Sequence, residues 1–245
     1  MKPLVTVITP TTGVSYLKQA IESVTNQTYE NIQHLIVFDG IPDNMHYWDL
    51  LLTKYPKCDI IKLPYSTGTD RFNGHRIYGA SIYLCKGEYV CFLDEDNWFD
   101  PNHVESLMNV ISDNNTWAFS LRKIVDTKGT YVCNDDCESL GKWPSILHED
   151  DYFVDVGCYF LPKHIALQTS PIWYRKAREP GVPEVDRMLT HVLRENKITY
   201  NTNGEYTLNY RTGNTVRSVQ KEFFVSGNEK MLEKYNGELP WQKKI

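Results

Sequence analysis

Along the first hundred residues the apolar positions alternate between two periods. Leu4 to Thr9 (LVTVIT) is an unbroken, largely β-branched run, as expected of a strand buried on both faces. Leu17, Ala20, Ile21 and Val24 then recur at helical spacing, with Ser15 placed to cap the helix. Ile32 to Phe38 (IQHLIVF) predicts a second strand ending at Asp39-Gly40, Met45 to Tyr55 a helix, and CDIIKLP a third strand. Ile77, Ala80, Ser81 and Leu84 mark the next helix, closed by Lys86-Gly87, and EYVCFL gives the fourth strand. Val104, Leu107, Met108 and Ile111 line a helix that starts just after Pro101.

Strand and helix alternating over short connections predict an α/β fold of the Rossmann-like class, a mainly parallel central sheet with helices on both faces. Ligands of such sheets bind beyond the carboxyl ends of the strands. Three features reach that edge: Pro10-Thr11, Asp39, and the acidic turn Asp94-Glu95-Asp96. Clustered carboxylates repel and gain nothing from packing, so a positive partner is expected there. Asp94 and Asp96, as Asp-x-Asp, suit a hard divalent cation that takes carboxylate and phosphate oxygens. The plainer use of acids at this place is a helix entry, with Asp100 as the cap.

The second half is less regular. TWAFSLRKIVDTKGTYVC predicts a hairpin turning at Asp126 to Gly129, and YFVDVGCYFLPKHIAL a strand then a helix, with Asp155 interrupting the apolar strand. Glu184 to Asn196 predicts a helix with Val185, Met188, Leu189, Val192 and Leu193 on its apolar face, and ITYN a last short strand. Residues 216–245 turn Lys-rich and aromatic and are expected to form a helical appendage that packs on the main domain or on a second subunit.

Composition narrows the classes. Charged residues at 23% and hydrophobic ones at 41% fit a folded soluble protein, and a net charge of −5 argues against a nucleic-acid-coating surface. The first ten residues are too short an apolar run for a signal peptide, and no segment reaches a membrane span's length. Six cysteines without metal-ligand spacing read as free thiols in a reduced, cytoplasmic setting, with Cys85 and Cys91 buried.

Four blocks together resemble family 2 glycosyltransferases of the GT-A fold. VTVITPTTG resembles the family's opening strand and Pro-Thr turn, and LIVFDGIPD its paired-Asp block. NGHRIYGASIYLCKGEYVCFLDEDN resembles its helix, Lys-Gly-Glu-Tyr and Leu-Asp-x-Asp-Asp segment, and VPEVDRMLTHVLRENKITY its Glu-Asp helix. The resemblance implies a GT-A domain over 1–215, with a nucleotide-sugar half (1–100), an acceptor half (101–215) and the appendage 216–245. It implies a UDP-, GDP- or dTDP-sugar donor, a carbohydrate or glycoconjugate acceptor, and Mn2+ or Mg2+. In that frame Pro10, Thr11, Asp39, Asp94 and Glu95 hold the nucleotide sugar, Arg71 and Arg76 clamp its diphosphate, and Asp96 with Asp94 holds the metal. Asp186 is the base of an inverting transfer, with Glu184 or Asp155 as substitutes, because the family's Glu-Asp pair is split here. Trp143, Trp173, Tyr174 and Asp155 would meet the acceptor. The tail could dimerise, touch a membrane surface or simply pack. Tyr210-Arg211 and Ser218 resemble the family's closing block, with no His to add a metal ligand.

A sugar nucleotidyltransferase shares the architecture, but needs a Gly-rich, Arg/Lys-bearing loop after the first strand, where TPTTGVSYLK offers one Gly and one Lys. A nucleotide-sugar-binding module without catalysis would not need Asp186.

Overall fold

The computed structural model describes residues 2–176, 184–214 and 218–243. Strands β1 (Val5–Thr11), β2 (Ile32–Phe38), β3 (Cys58–Lys62) and β4 (Tyr89–Phe92) alternate with α1 (Leu17–Thr25), α2 (Met45–Leu52) and α3 (His75–Ser81). A two-residue strand β5 (Trp98–Phe99) and α4 (His103–Met108) lead to the β6 (Trp117–Val125) and β7 (Tyr131–Asn134) hairpin. Then come β8 (Tyr159–Pro162), α5 (Lys163–Thr169), α6 (Val185–Glu195), β9 (Tyr200–Arg211) and α7 (Lys221–Lys234). The sheet runs β3-β2-β1-β4-β8-β6-β9-β5, with β7 on β6.

The expected α/β class holds. β1 to β4 pair in parallel, and the second half is mixed. Successive residues of β2 point to opposite faces. Ile36 and Phe38 pack with Leu17, Ile21, Trp48 and Leu51 of α1 and α2, while Leu35 and Val37 pack with Ile77 of α3. That is why the strand reads as continuously apolar: helices cover both sides.

Direction along the sheet decides what reaches the functional edge. β8 is antiparallel to β4, β6 is antiparallel to β8, and β9 is parallel to β6. Two reversals restore the direction of β4, so β6 and β9 end at the edge where β1, β2 and β4 end, and β8 begins there. Residues ahead of β8 and at the close of β9 therefore meet the Asp94 turn.

Several local expectations are corrected. Ser15 makes no cap; Tyr16 precedes α1 without a side-chain capping bond. Asp100 is no cap either; its carboxylate takes Lys123 and Asn209 instead. Ala80 and Leu84 face solvent, and the buried side of α3 is Ile77, Tyr78 and Ser81. The last strand is β9 with 12 residues rather than four. The 126–129 turn is as expected: Asp126 Oδ1 accepts the amides of Lys128 and Thr130, and Gly129 takes a φ of +84° that L side chains avoid.

The C-terminal segment packs on the chain's own body. Phe224 and Met231 of α7 are fully buried, Trp241 donates its indole N–H to Asp136 Oδ1 at 2.7 Å, and Cys137 lies under Gly227. The expected 215/216 boundary falls outside the described residues. All six cysteines are free, Cys85 and Cys91 buried. Among the described residues no helix is long and apolar enough to cross a membrane.

Candidate active site

Two cavities open at the carboxyl edge. The first, about 540 Å3, is walled by Pro10, Thr11, Asp39, Asp94, Glu95 and Asp96, together with residues of the 66–74 loop and the end of β9. Most of the residues predicted for nucleotide-sugar binding thus share one wall. The second, about 310 Å3, is walled by Asp155, Glu184, Asp186, Trp173 and the Arg122–Glu138–Arg187 group. Asn73, Asp94 and Tyr210 line both, so the two spaces adjoin at Asp94.

Each carboxylate has a distinct environment. Asp39 is tied to the 66–68 segment: Oδ2 accepts Ser66 Oγ at 2.8 Å and Gly68 N at 2.9 Å, and Oδ1 accepts Thr67 N and Oγ1. Glu95 turns back on the first strand's turn, taking Thr11 Oγ1, Thr12 N and Thr12 Oγ1, and so braces the wall. Asp94 accepts the Tyr78 hydroxyl at 2.7 Å, and Asp96 accepts Asn214. Burial first, then the neighbouring Asp96 charge, holds the Asp94 carboxyl well above the usual carboxylate range. Asp96 is raised as well, chiefly by burial.

That pair fits a divalent ion. Among the described residues no cluster of three or more His, Cys, Asp or Glu side chains gathers to hold a metal by protein ligands alone. Two carboxylates that repel in a buried corner, facing open space, suit an ion of the Mg2+/Mn2+ kind, which takes one or two carboxylates and completes its shell with phosphate and water.

The expected arginines lie elsewhere. Neither Arg71 nor Arg76 lines either cavity. Arg76 donates to Thr67 O at 3.2 Å and sits 3.3 Å from the centre of the Phe72 ring, so it braces the 66–74 loop from behind. Among the described residues the guanidinium that reaches the first cavity is that of Arg211, in the Tyr210-Arg211 pair. It bonds Asp96 O at 2.9 Å, Thr127 O at 2.8 Å and Gln19 Oε1 at 2.7 Å, fastening the acidic turn to the hairpin and α1. Asn214 and the small residues Gly68 and Gly74 are wall residues that sequence did not single out. Gly68 has a local reason: a Cβ there would lie 2.5 Å from Asn73 O and 2.8 Å from Asp39 Oδ2.

In the second cavity Asp155 is buried, with Oδ1 on Gly157 N at 3.0 Å and Oδ2 on Arg122. It does not interrupt a strand; it caps a 3-10 turn (Val156–Cys158) ahead of β8. Asp186, second residue of α6, accepts its neighbour's amide, Arg187 N, at 2.9 Å, its carboxylate's one hydrogen bond among the described residues, and makes no helix cap. Burial first, then the Asp155 charge, pushes its carboxyl up to about 7. Glu184 stands at the helix entrance on the same wall. Trp173 lines this cavity, buried, with no partner for its indole N–H among the described residues. Trp143 does not: its ring packs 5.7 Å from that of Trp241. Tyr174 lies outside both, over Phe72.

The family model described as glycosyl transferase family 2 matches residues 6–152. The chain belongs to glycosyl transferase family 2. An uncharacterised glycosyltransferase of Rickettsia felis is 31% identical over 132 residues, covering 52% of this chain and 21% of that protein. A second, from Rickettsia conorii, is 30% identical over 195 residues, or 70% and 31% of the two chains. The putative glycosyltransferase EpsH of Bacillus subtilis is 29% identical over 104 residues, 40% of this chain and 27% of EpsH. This family 2 chain thus spans roughly a fifth to a third of the curated relatives it matches. Among solved structures, S. aureus TarS 1-349 with UDP superposes with a TM-score of 0.63 at 14% identity, over 86% of this chain and 61% of that one. Its complex with UDP-GlcNAc covers 94% and 66%, also at 0.63, with 13% identity. These likenesses establish the family's GT-A fold.

Proposed function

We propose that the protein is an inverting glycosyltransferase that moves a sugar from a nucleotide-diphosphate donor to an acceptor hydroxyl. The supporting observation is the adjacency of two cavities through Asp94, one with the Asp94/Asp96 pair and the other with Asp186. Donor and acceptor then approach from opposite sides of one junction, as a direct displacement at the anomeric carbon requires.

Asp39, Pro10 and Thr11 line the nucleotide end of the first cavity, and Asp94 and Asp96 the diphosphate end. A bound Mn2+ or Mg2+ would offset the paired charges and stabilise the departing diphosphate as a Lewis acid. Asp186 accepts the proton of the acceptor hydroxyl as its oxygen bonds to C1. The C1–O bond to the diphosphate breaks, and its electron pair leaves with the nucleotide. A proton affinity near neutrality suits a base working in the transition state. Asp155, whose oxygens are both engaged, is poorly placed to compete for that role. The UDP and UDP-GlcNAc complexes of TarS make UDP-sugars the first donors to try.

The test is Asp186→Asn in a transfer assay with a panel of nucleotide sugars and Mn2+. The reading expects donor binding to survive while turnover falls by about 100- to 10,000-fold, the range general-base loss gives. Unchanged turnover would remove Asp186 from the mechanism, and binding without any turnover in the parent protein would favour a binding module.

A further inference from the structure

Arg122 is 2% exposed in the middle of β6, and three carboxylates converge on it from the start and the end of the 135–155 connection that follows β7. Nε meets Asp135 Oδ2 at 2.8 Å, Nη2 meets Glu138 Oε2 at 2.7 Å, and Nη1 meets Asp155. The guanidinium lies over the rings of Tyr210 at 4.3 Å and Phe224 at 5.3 Å. Tyr210 lines both cavities, and Phe224 comes from the C-terminal helix. The second oxygen of Glu138 holds Arg187 Nη2 at 2.6 Å, and Arg187 also holds Asp151. Asp135 accepts the amides of Cys137, Glu138 and Ser139, which shapes the turn that carries Glu138.

The chemistry of the wall gives this arrangement a purpose. Glu138, Asp155, Glu184 and Asp186 all line the second cavity. If several were unengaged, the acceptor hydroxyl would meet competing carboxylates, and their mutual repulsion would open the pocket. Arg122 occupies Asp155, Glu138 and Asp135 at once, each on a different nitrogen of one planar fork, a spread that a compact ammonium does not have. Among the described residues the Asp186 carboxylate keeps one hydrogen bond, from Arg187 N, and no arginine fork.

We propose that Arg122, seated on Phe224 of the C-terminal helix, is a positioning residue that withdraws Asp155 and Glu138 from the acceptor cavity and so removes two competitors of Asp186, the working proton acceptor. The inference rests on the reading of Asp186 as the base. It also gives the C-terminal helix a part in the site. The charged and titratable groups lining the cavity around Asp186 are Asp155, Glu138, Glu184, Arg187, Arg122, His75, Tyr78, Tyr210 and Asp94, and Tyr159 donates to the Asp186 carbonyl.

The experiment compares Arg122→Lys, Arg122→Lys with Asp155→Asn, and Phe224→Leu in the full chain. Transfer kinetics are followed alongside UDP–Mn2+ binding and thermal melting. Lysine keeps the charge but cannot hold three carboxylates, so kcat is expected to fall about 100-fold, the scale of an ångström-level misplacement, with UDP affinity within twofold of the parent. Adding Asp155→Asn removes the released carboxylate and should recover a large part of kcat, a rescue that a merely structural arginine would not show. If Arg122→Lys fails to fold, Phe224→Leu carries the test, because it loosens the seat without altering charge; a lowered kcat at constant donor KM supports the proposal. Unchanged kcat in the folded variants, kcat and UDP affinity falling together, or no rescue by Asp155→Asn would overturn it. Failure of the base assignment reads differently: Asp186→Asn would then keep its turnover whatever Arg122 does.

Discussion

Tyr78 donates its hydroxyl to Asp94 Oδ1 at 2.7 Å, joining a wall residue of the second cavity to the carboxylate shared by both. Its ring is held by Phe92 at 5.2 Å and Trp173 at 5.3 Å. Tyr78→Phe keeps that packing and removes the one donor, at about 1 kcal/mol of stability. The bond favours the ionised form of Asp94, so without it the carboxylate binds its proton more tightly. Metal-dependent UDP affinity is therefore expected to drop several-fold at pH 7, measured by calorimetry. Equal affinity in the variant would place Asp94 outside the metal site.

Asp186 links activity to stability. Its carboxyl titrates at about 7 in the folded chain, against roughly 4 in an unfolded one. A raised folded value favours the protonated fold, so the stability it contributes is full below the unfolded value and is lost as pH rises through about 7. Asp186→Asn should therefore melt like the parent below about pH 4 and increasingly above it up to pH 7, with a constant gap beyond. In the parent, kcat should climb with pH over that same upper range. A melting difference independent of pH would contradict both.

Gly68→Ala tests the loop that Asp39 holds. The new methyl would press on Asn73 O and Asp39 Oδ2, so the 66–68 segment must move. The expected result is roughly a tenfold loss of UDP affinity, about 1.4 kcal/mol, with little change in melting temperature because the loop lies at the surface. Unaltered affinity would mean that this loop does not shape the nucleotide end.

Trp241 tests the appendage. It is 3% exposed, packs at a tilt against Trp143 and edge-on against Tyr235, and hydrogen-bonds Asp136. Trp241→Ala is expected to cost about 3–5 kcal/mol, read by urea unfolding as one cooperative transition. Two separate transitions in the parent would make the C-terminal segment an independent unit.

The first hundred residues were largely legible because their signals are local. Ile32 to Phe38 is a strand at both of its predicted ends, since helices on each face demand apolar residues throughout. The carboxyl-edge rule brought Pro10, Thr11, Asp39 and the Asp94 turn together without any knowledge of contacts. The rest of the chain hid its logic in pairings between distant segments. β9 reads as polar because its first seven residues are only partly buried or exposed on both faces, Gly204 takes a φ of +66° and its register against β6 shifts, so only four of its 12 residues carry a strand signal. Arg122 carries no local mark as a buried cation; only the distant acids Asp135, Glu138 and Asp155 reveal it. Arg76 is close in sequence to the acidic edge, but its guanidinium lies over the Phe72 ring and lines neither cavity. Trp143 was a fair candidate by type, yet its neighbour Trp241 lies nearly a hundred residues away.

The most direct measurement is calorimetric titration of UDP into the parent protein and into Asp96→Asn, each with and without Mn2+. The account predicts binding by the parent only when the ion is present, and at least a tenfold weaker response from Asp96→Asn at the same ion concentration. Equal UDP binding by both proteins, indifferent to Mn2+, would contradict it.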